Sequence, residues 1–145
     1  MIKICFVCTG NTCRSIMAER LMKKVLKDRK ILEVKVSSKG IYAKGDNIAQ
    51  NAKIVLKKLK ALSSDRKSVQ LKKIDNGTLY VVMSQAMKTY LNGGKVISMQ
   101  DLIGRDIQDP YGQDENTYLQ TAQQILEGVD KLIEKIINWR EKWLF

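Results

Sequence analysis

A chain of 145 residues, 44% of them hydrophobic, has enough apolar content for one good core and is read as a single domain spanning 1–145. Its formal charge of +11 raises the question of a nucleic-acid partner, while the absence of histidine excludes Ser-His-Asp and Cys-His catalysis, phosphohistidine transfer and most zinc sites. No apolar stretch approaches a membrane span and no secretory apolar segment follows Met1, so a soluble, cytoplasmic protein is expected.

Ile2 to Cys8 is an apolar, β-branched run, the pattern of a buried parallel strand, with Cys5 read as a core residue. Thr9-Gly10-Asn11-Thr12-Cys13-Arg14-Ser15 then turns tightly into an amphipathic helix beginning near Ser15. A strand, a short loop and a helix N-terminus form an anion site, because loop and first-turn amides point at one spot. Cys8 opens this loop and Arg14 closes it, so thiol and guanidinium face the same bound anion. Amide donors, the helix dipole and Arg14 favour thiolate over thiol, which is how a cysteine becomes a nucleophile without a histidine. Arg14 adds a planar fork matched to two oxygens of a phosphoryl group. The bland alternative is a Gly-rich turn with an incidental cysteine. Cys5, Cys8 and Cys13 crowd the first thirteen residues, which suits reduced thiols better than a disulfide framework or a zinc site.

Met17, Ala18, Leu21, Met22, Val25 and Leu26 share one face of that helix, to about Lys27. Leu32 to Ser38 alternates as a second strand, followed by Gly40. Asp46 is placed to cap a helix carrying Ile48, Ala52, Val55, Leu59 and Leu62 on one side. Basic residues are densest from Lys53 to Lys73, without interleaved aromatics. They read as a solvated lysine-rich face with a general attraction for acidic or phosphorylated substrates, rather than as a nucleic-acid groove. Ser63 to Asn76 is polar loop with room for a short helix. Leu79 to Met83 is a buried strand, Ser84 caps a short helix to about Leu91, and Lys95 to Ser98 is a fourth strand. The last helix runs from about Glu115 to Trp143, with Leu119, Ala122, Leu126, Val129, Ile133 and Ile136 facing inward. Strands alternating with helices predict an α/β domain, a parallel sheet with helices on both faces. Ligands bind such sheets beyond the carboxyl ends of the strands, where the Cys8 loop lies.

Between the fourth strand and the last helix runs a long connection containing Asp106-Ile107-Gln108-Asp109-Pro110-Tyr111-Gly112, read as having no structure of its own. Expelling a leaving group from phosphorus needs a proton donor. With no histidine, a carboxylic acid on this loop is the natural choice, and Pro110 restricts the backbone of Asp109.

Cys8 to Ser15 resembles the Cys-x-Gly-Asn-x-Cys-Arg-Ser signature of the low-molecular-weight protein tyrosine phosphatase family. Asp109-Pro110-Tyr111-Gly112 resembles the segment bearing that family's general acid, and Ser38-Lys39-Gly40 the end of its second strand. The resemblance covers essentially the whole chain. It implies strand order 2-1-3-4 and a phosphocysteine intermediate on Cys8. Thr9, Gly10, Asn11, Thr12, Cys13, Arg14 and Ser15 would hold the phosphoryl group, and Asp109 would serve as acid and then base. Asn11, Ser15 and Ser38 would support the loop. It implies no metal and no cofactor, with phosphorylated proteins or peptides as partners and affinity for phosphate- or sulfate-like anions. Ile16 departs from the family's usual proline, and Arg66 to Ser68 stand in the region of its frequent mid-chain histidine.

Members resembling the protein-arginine phosphatases of Gram-positive bacteria read Cys-Thr-Gly-Asn-Thr-Cys-Arg-Ser, as here. Thr12 and Tyr111 then form the substrate wall. Thr12 is smaller than the aliphatic residue of tyrosine-specific members and offers a hydroxyl, while Tyr111 can stack on a phenol or a guanidinium. This favours phosphoarginine, with phosphotyrosine the alternative. Arsenate reductases share the loop but need downstream cysteines, and none follows Cys13; a basic nucleic-acid module with a vestigial site is the remaining alternative. Cys13 is also the expected redox partner of Cys8, capturing a sulfenic acid there, unless it simply packs beneath the loop.

Overall fold

The apolar N-terminal run forms β1 (Ile2–Cys8), and its last five residues are all buried, so both faces of the strand are covered. The computed structural model describes residues 1–62 and 65–143, and the side chains of all of these except 141–143. β1 pairs in parallel with β2 (Val34–Gly40) on one side and β3 (Thr78–Val82) on the other, and β3 pairs with β4 (Lys95–Ser98). The order is therefore β2-β1-β3-β4, the 2-1-3-4 arrangement expected from the sequence. Parallel neighbours require crossovers. These are supplied by α1 (Arg14–Asp28), by α2 (Gln50–Lys58) with the stretch after it, and by a 3₁₀ turn at Gln85–Tyr90. α3 (Met99–Ile103) and α4 (Glu115–Trp143) complete the chain. α4 packs along α1, α2 and α3, and among the described residues no helix is long and apolar enough to cross a membrane.

Register brings the site together. Cys8 lies opposite Gly40 and Val7 opposite Val82, so three strand ends reach the same edge of the sheet. A Cβ at Gly40 would stand 2.6 Å from the Thr9 carbonyl oxygen and 3.0 Å from the Asn11 nitrogen. Only glycine lets the end of β2 lie against the loop that follows β1.

Several expectations are corrected. β2 begins and ends two residues later than the alternation suggested: Lys30 turns the chain at φ 58°, Leu32 is 82% exposed, and Ile2 N–H donates to Glu33 O. Asp46 is not a helix cap. α2 starts at Gln50 behind Ala49, whose N–H donates to Thr12 O, and Ile48 is buried ahead of the helix. Ser63 and Ser64 lie outside the described residues; from 65 to 76 the chain forms no helix, but bridges Gly40 to Gln70 and Asn47 to Lys67. The connection after β4 does have structure of its own. Ser98 and Asp101 form a reciprocal capping box that starts α3, and Gly104, at φ 78°, ends it. In α4 the buried stripe runs through Tyr118, Ala122, Ile125, Val129, Leu132, Ile133 and Ile136, leaving Leu119 and Leu126 half-buried.

Candidate active site

The loop from Cys8 to Arg14 curls around the N-terminus of α1. Its tightest point is Asn11, a non-glycine residue at φ 57°, a conformation asparagine tolerates better than most. Four hydrogen bonds hold its side chain. Oδ1 accepts from Val69 N–H (2.9 Å) and Arg66 Nη1 (3.1 Å), while Nδ2 donates to Ser15 Oγ (2.8 Å) and Ser38 Oγ (3.0 Å). Two N–H donors on one end of the amide settle which end is oxygen. Ser15 Oγ therefore accepts from Asn11 and lies 2.9 Å from Cys8 Sγ, where its own hydrogen can turn to a thiolate. Asn11 N–H also donates to that sulfur, at 3.3 Å. A negative charge on Cys8 would meet two donors already in place. Cys13 occupies the N-cap position of α1 without a side-chain cap, which leaves first-turn amides free for an anion.

Arg14 and Asp109 come from opposite ends of the chain. The Arg14 guanidinium is buried; its Nη1 donates to Ile107 O (3.0 Å) and its Nη2 stands 3.8 Å from Asp109 Oδ2. Ile107 N–H in turn donates to Met83 O just past β3, and Asp106 accepts from Gln85 N–H, so the base of the loop is tied to the sheet. Beyond it, Asp109 Oδ1 accepts from Tyr111 N–H, a turn that sets the carboxylate over the cradle. Cys8, Thr9, Gly10, Thr12, Cys13, Arg14, Asp109 and Tyr111 line one cleft. Asp46 lines it too, a residue the sequence reading had assigned to a helix start. Cys13 itself is buried: burial pushes its thiol above the ordinary range, and its sulfur lies 3.6 Å from both Thr12 Oγ1 and Tyr118 Oη.

Arg66 is the residue that sequence reasoning missed, having counted it as part of a solvated basic face. Besides Asn11, its Nη2 donates to Ser38 Oγ (2.5 Å), Ser38 O (3.3 Å) and Glu19 Oε1 (3.2 Å). Ser38 Oγ donates to the same Glu19 oxygen at 2.7 Å. Burial pushes the Glu19 carboxyl up, but the Ser38 hydroxyl, Lys23 and Arg66 outweigh it and the net shift is below the ordinary 4.5. A depressed carboxylate stabilises the fold above its unfolded-state value, and that contribution disappears as pH falls through the folded value. The buried frame under the loop is thus weakened by acid below about pH 4.5. Arg66→Ala should cost roughly 1–3 kcal/mol, because it strips donors from buried acceptors. Thermal unfolding with and without phosphate checks this: a lower midpoint and weaker stabilisation by phosphate are expected, and parent-like values of both would show the network to be incidental.

The chain matches the low molecular weight phosphotyrosine protein phosphatase family over residues 3–142. It belongs to that family. The relative PtpB of Staphylococcus haemolyticus, a low molecular weight protein-tyrosine-phosphatase, is 31% identical over 90% of this chain and 97% of its own. The solved structure of the YwlE arginine phosphatase from Geobacillus stearothermophilus superposes with a TM-score of 0.85 at 32% identity, covering 98% of this chain and 97% of that one. A YwlE arginine phosphatase Cys-to-Ser mutant, with its active-site serine phosphorylated, superposes with a TM-score of 0.79 at 28% identity over 93% of this chain and 95% of that one. In that family member the phosphoryl group sits on the side chain that replaces the cysteine, as expected of a covalent mechanism.

Proposed function

We propose that this phosphatase hydrolyses phosphorylated side chains of proteins through Cys8, with Arg14 as phosphate clamp and Asp109 as general acid and then base. The observation that carries the reading is the convergence of those three groups on one cleft, with Asn11 N–H donating to the sulfur and Ser15 Oγ within hydrogen-bond distance of it. Cys8 thiolate attacks phosphorus in line, and the S–P bond forms as the bond to the leaving atom breaks. Loop amides and Arg14 hold the equatorial oxygens, and Asp109 gives its proton to the leaving atom. Asp109, now a carboxylate, takes a proton from water as that water attacks phosphorus, releasing phosphate and the Cys8 thiolate. Phosphoprotein substrates and small phosphate-like anions are the expected ligands.

Phosphoarginine is the favoured substrate. Thr12 sits in the cleft wall with a small polar side chain, and Asp46 brings a carboxylate to the same cleft. No ion pair among the described residues occupies that carboxylate. A guanidinium gains from such a wall and a phenol does not. Arginine phosphatase and tyrosine phosphatase relatives bracket the chain at similar identity, so the wall is the discriminating evidence. Thr12→Ile should shift the kcat/KM ratio toward phosphotyrosine, and Asp46→Asn should lower turnover of phosphoarginine alone by roughly two- to fivefold, the scale of an exposed ion pair. Ratios unchanged in both variants would place specificity elsewhere.

Cys13 completes the reading as a redox partner. Peroxide oxidises Cys8 thiolate to a sulfenic acid; the Cys13 thiol attacks that sulfur and water leaves as the S–S bond forms. Intact mass after mild peroxide should show the loss of two hydrogens, reversed by thiol reductant. Added oxygen at Cys8 with no such loss would leave Cys13 a packing residue.

A further inference from the structure

A second cleft lies next to the first. Ile41, Tyr42, Gln70, Lys72, Lys73 and Tyr90 are among its lining residues, and none of these has a catalytic part. We propose that it docks the acidic stretch of polypeptide flanking the phosphorylated residue of a protein substrate. The inference rests on the phosphatase reading and names what surrounds the target side chain.

Position is the first argument. Past the end of β2 the chain stays hydrogen-bonded to the phosphate loop: Ile41 N–H donates to Cys8 O at 3.0 Å and Tyr42 N–H to Thr9 O at 2.9 Å. One wall of the groove therefore begins a single hydrogen bond from the cradle. A polypeptide whose modified side chain enters the cradle can lay its neighbours across this part of the surface.

Rigidity is the second. The Gln70 side chain staples the floor, donating to Ile41 O and Leu71 O while accepting from Ala43 N–H, and Leu71 N–H donates to Gly40 O. Tyr42 and Tyr90, brought from distant parts of the chain, meet edge to face with ring centroids 6.2 Å apart. The groove needs no ordering step before a partner arrives, which keeps the cost of binding low.

Chemistry decides the occupant. Tyr42 and Tyr90 are 62% and 56% exposed, large amphipathic rings of the kind that gather at protein interfaces. Lys72 and Lys73 are exposed beside them, no acid lines the groove, and among the described residues no ion pair includes either lysine. The nearby Asp75 carboxylate is engaged by Lys3 at 3.7 Å and by Thr78 Oγ1 at 2.7 Å. A second copy of this chain would carry another charge of +11 toward the same lysines, so carboxylates from a different polypeptide fit better.

The test measures binding of phosphorylated peptides to the Cys8→Ser protein, with flanks rich in Asp/Glu, in Ser/Gly or in Lys. Acidic flanks should bind tighter than basic ones by on the order of tenfold at low salt, the combined effect of two exposed ion pairs, and the gap should shrink as salt rises. Lys72→Glu/Lys73→Glu should abolish or invert the order. Tyr42→Ala/Tyr90→Ala should weaken all three peptides while leaving turnover of a small phosphomonoester by the Cys8 enzyme unchanged. An order that survives the lysine replacements would trace the attraction to overall charge and overturn the proposal. So would a dimer, seen by sedimentation, that the tyrosine replacements dissolve, or displacement of the peptide by an oligonucleotide more strongly than by an acidic peptide of equal charge. Small-ester turnover tests the catalytic reading separately; its failure would still leave these peptide affinities to be read.

Discussion

Cys8→Ser should bring turnover of every phosphorylated substrate to background while phosphate and vanadate still bind. The substitution exchanges sulfur for oxygen at the one side chain that Ser15 Oγ and Asn11 N–H both address. A serine hydroxyl is a much weaker nucleophile in a site without a histidine to take its proton, and its alkoxide leaves phosphorus far less readily than a thiolate, so any phosphoserine that forms is not hydrolysed and the cycle stops. Binding is another matter. The loop amides, the start of α1 and Arg14 are untouched, and they supply the attraction for the anion. Calorimetric titration with phosphate beside a turnover assay separates the two effects. Turnover near the parent rate would remove Cys8 from the chemistry, and lost anion binding would mean that the cradle had collapsed instead.

Asp109→Asn should slow the chemical step by about 10²–10⁴-fold, the usual contribution of a positioned general acid. The slowing should be greatest for alkyl phosphates and least for activated aryl esters, whose leaving oxygens need no proton. Asparagine keeps the acceptor that Tyr111 N–H uses, so the turn that places the side chain survives and the missing proton is the only change. Asp106, the neighbouring carboxylate, is committed to Gln85 N–H at 2.9 Å, and its replacement should loosen the loop rather than single out poor leaving groups. Equal slowing across leaving groups in Asp109→Asn would disqualify it as the acid.

Much of the frame could be read locally. β4 and the bounds of α4 fall where the apolar patterns placed them, because each is marked by its own residues. The cradle was legible for the same reason: strand, turn and helix start are contiguous. α3 was missed although its capping box at Ser98 and Asp101 was in plain sight; five residues are too few to show a helical period. Asp46 drew the eye as a cap for a real apolar stripe, but the helix starts later because Ala49 N–H is claimed by Thr12 O. The α4 stripe shifts to Tyr118 because that residue meets Cys13 across the fold. Arg66 was illegible for a deeper reason. Its partners Asn11, Glu19 and Ser38 lie on three other segments, and nothing near residue 66 marks a guanidinium about to be half-buried.

The first nine residues of α1, Arg14 to Met22, are all buried, whereas the arm from Gln108 to Asp114 is exposed except at Pro110. In hydrogen-exchange terms the two halves of the site keep different time. Amide protons in the buried body of α1 past its open first turn should be released only when the whole domain opens, while those of the arm should exchange through small local excursions. The nucleophile therefore waits in a frame that never has to be rebuilt between turnovers. With Asp109 as the proposed acid, the pace of a catalytic cycle should follow the motion of the arm that carries it.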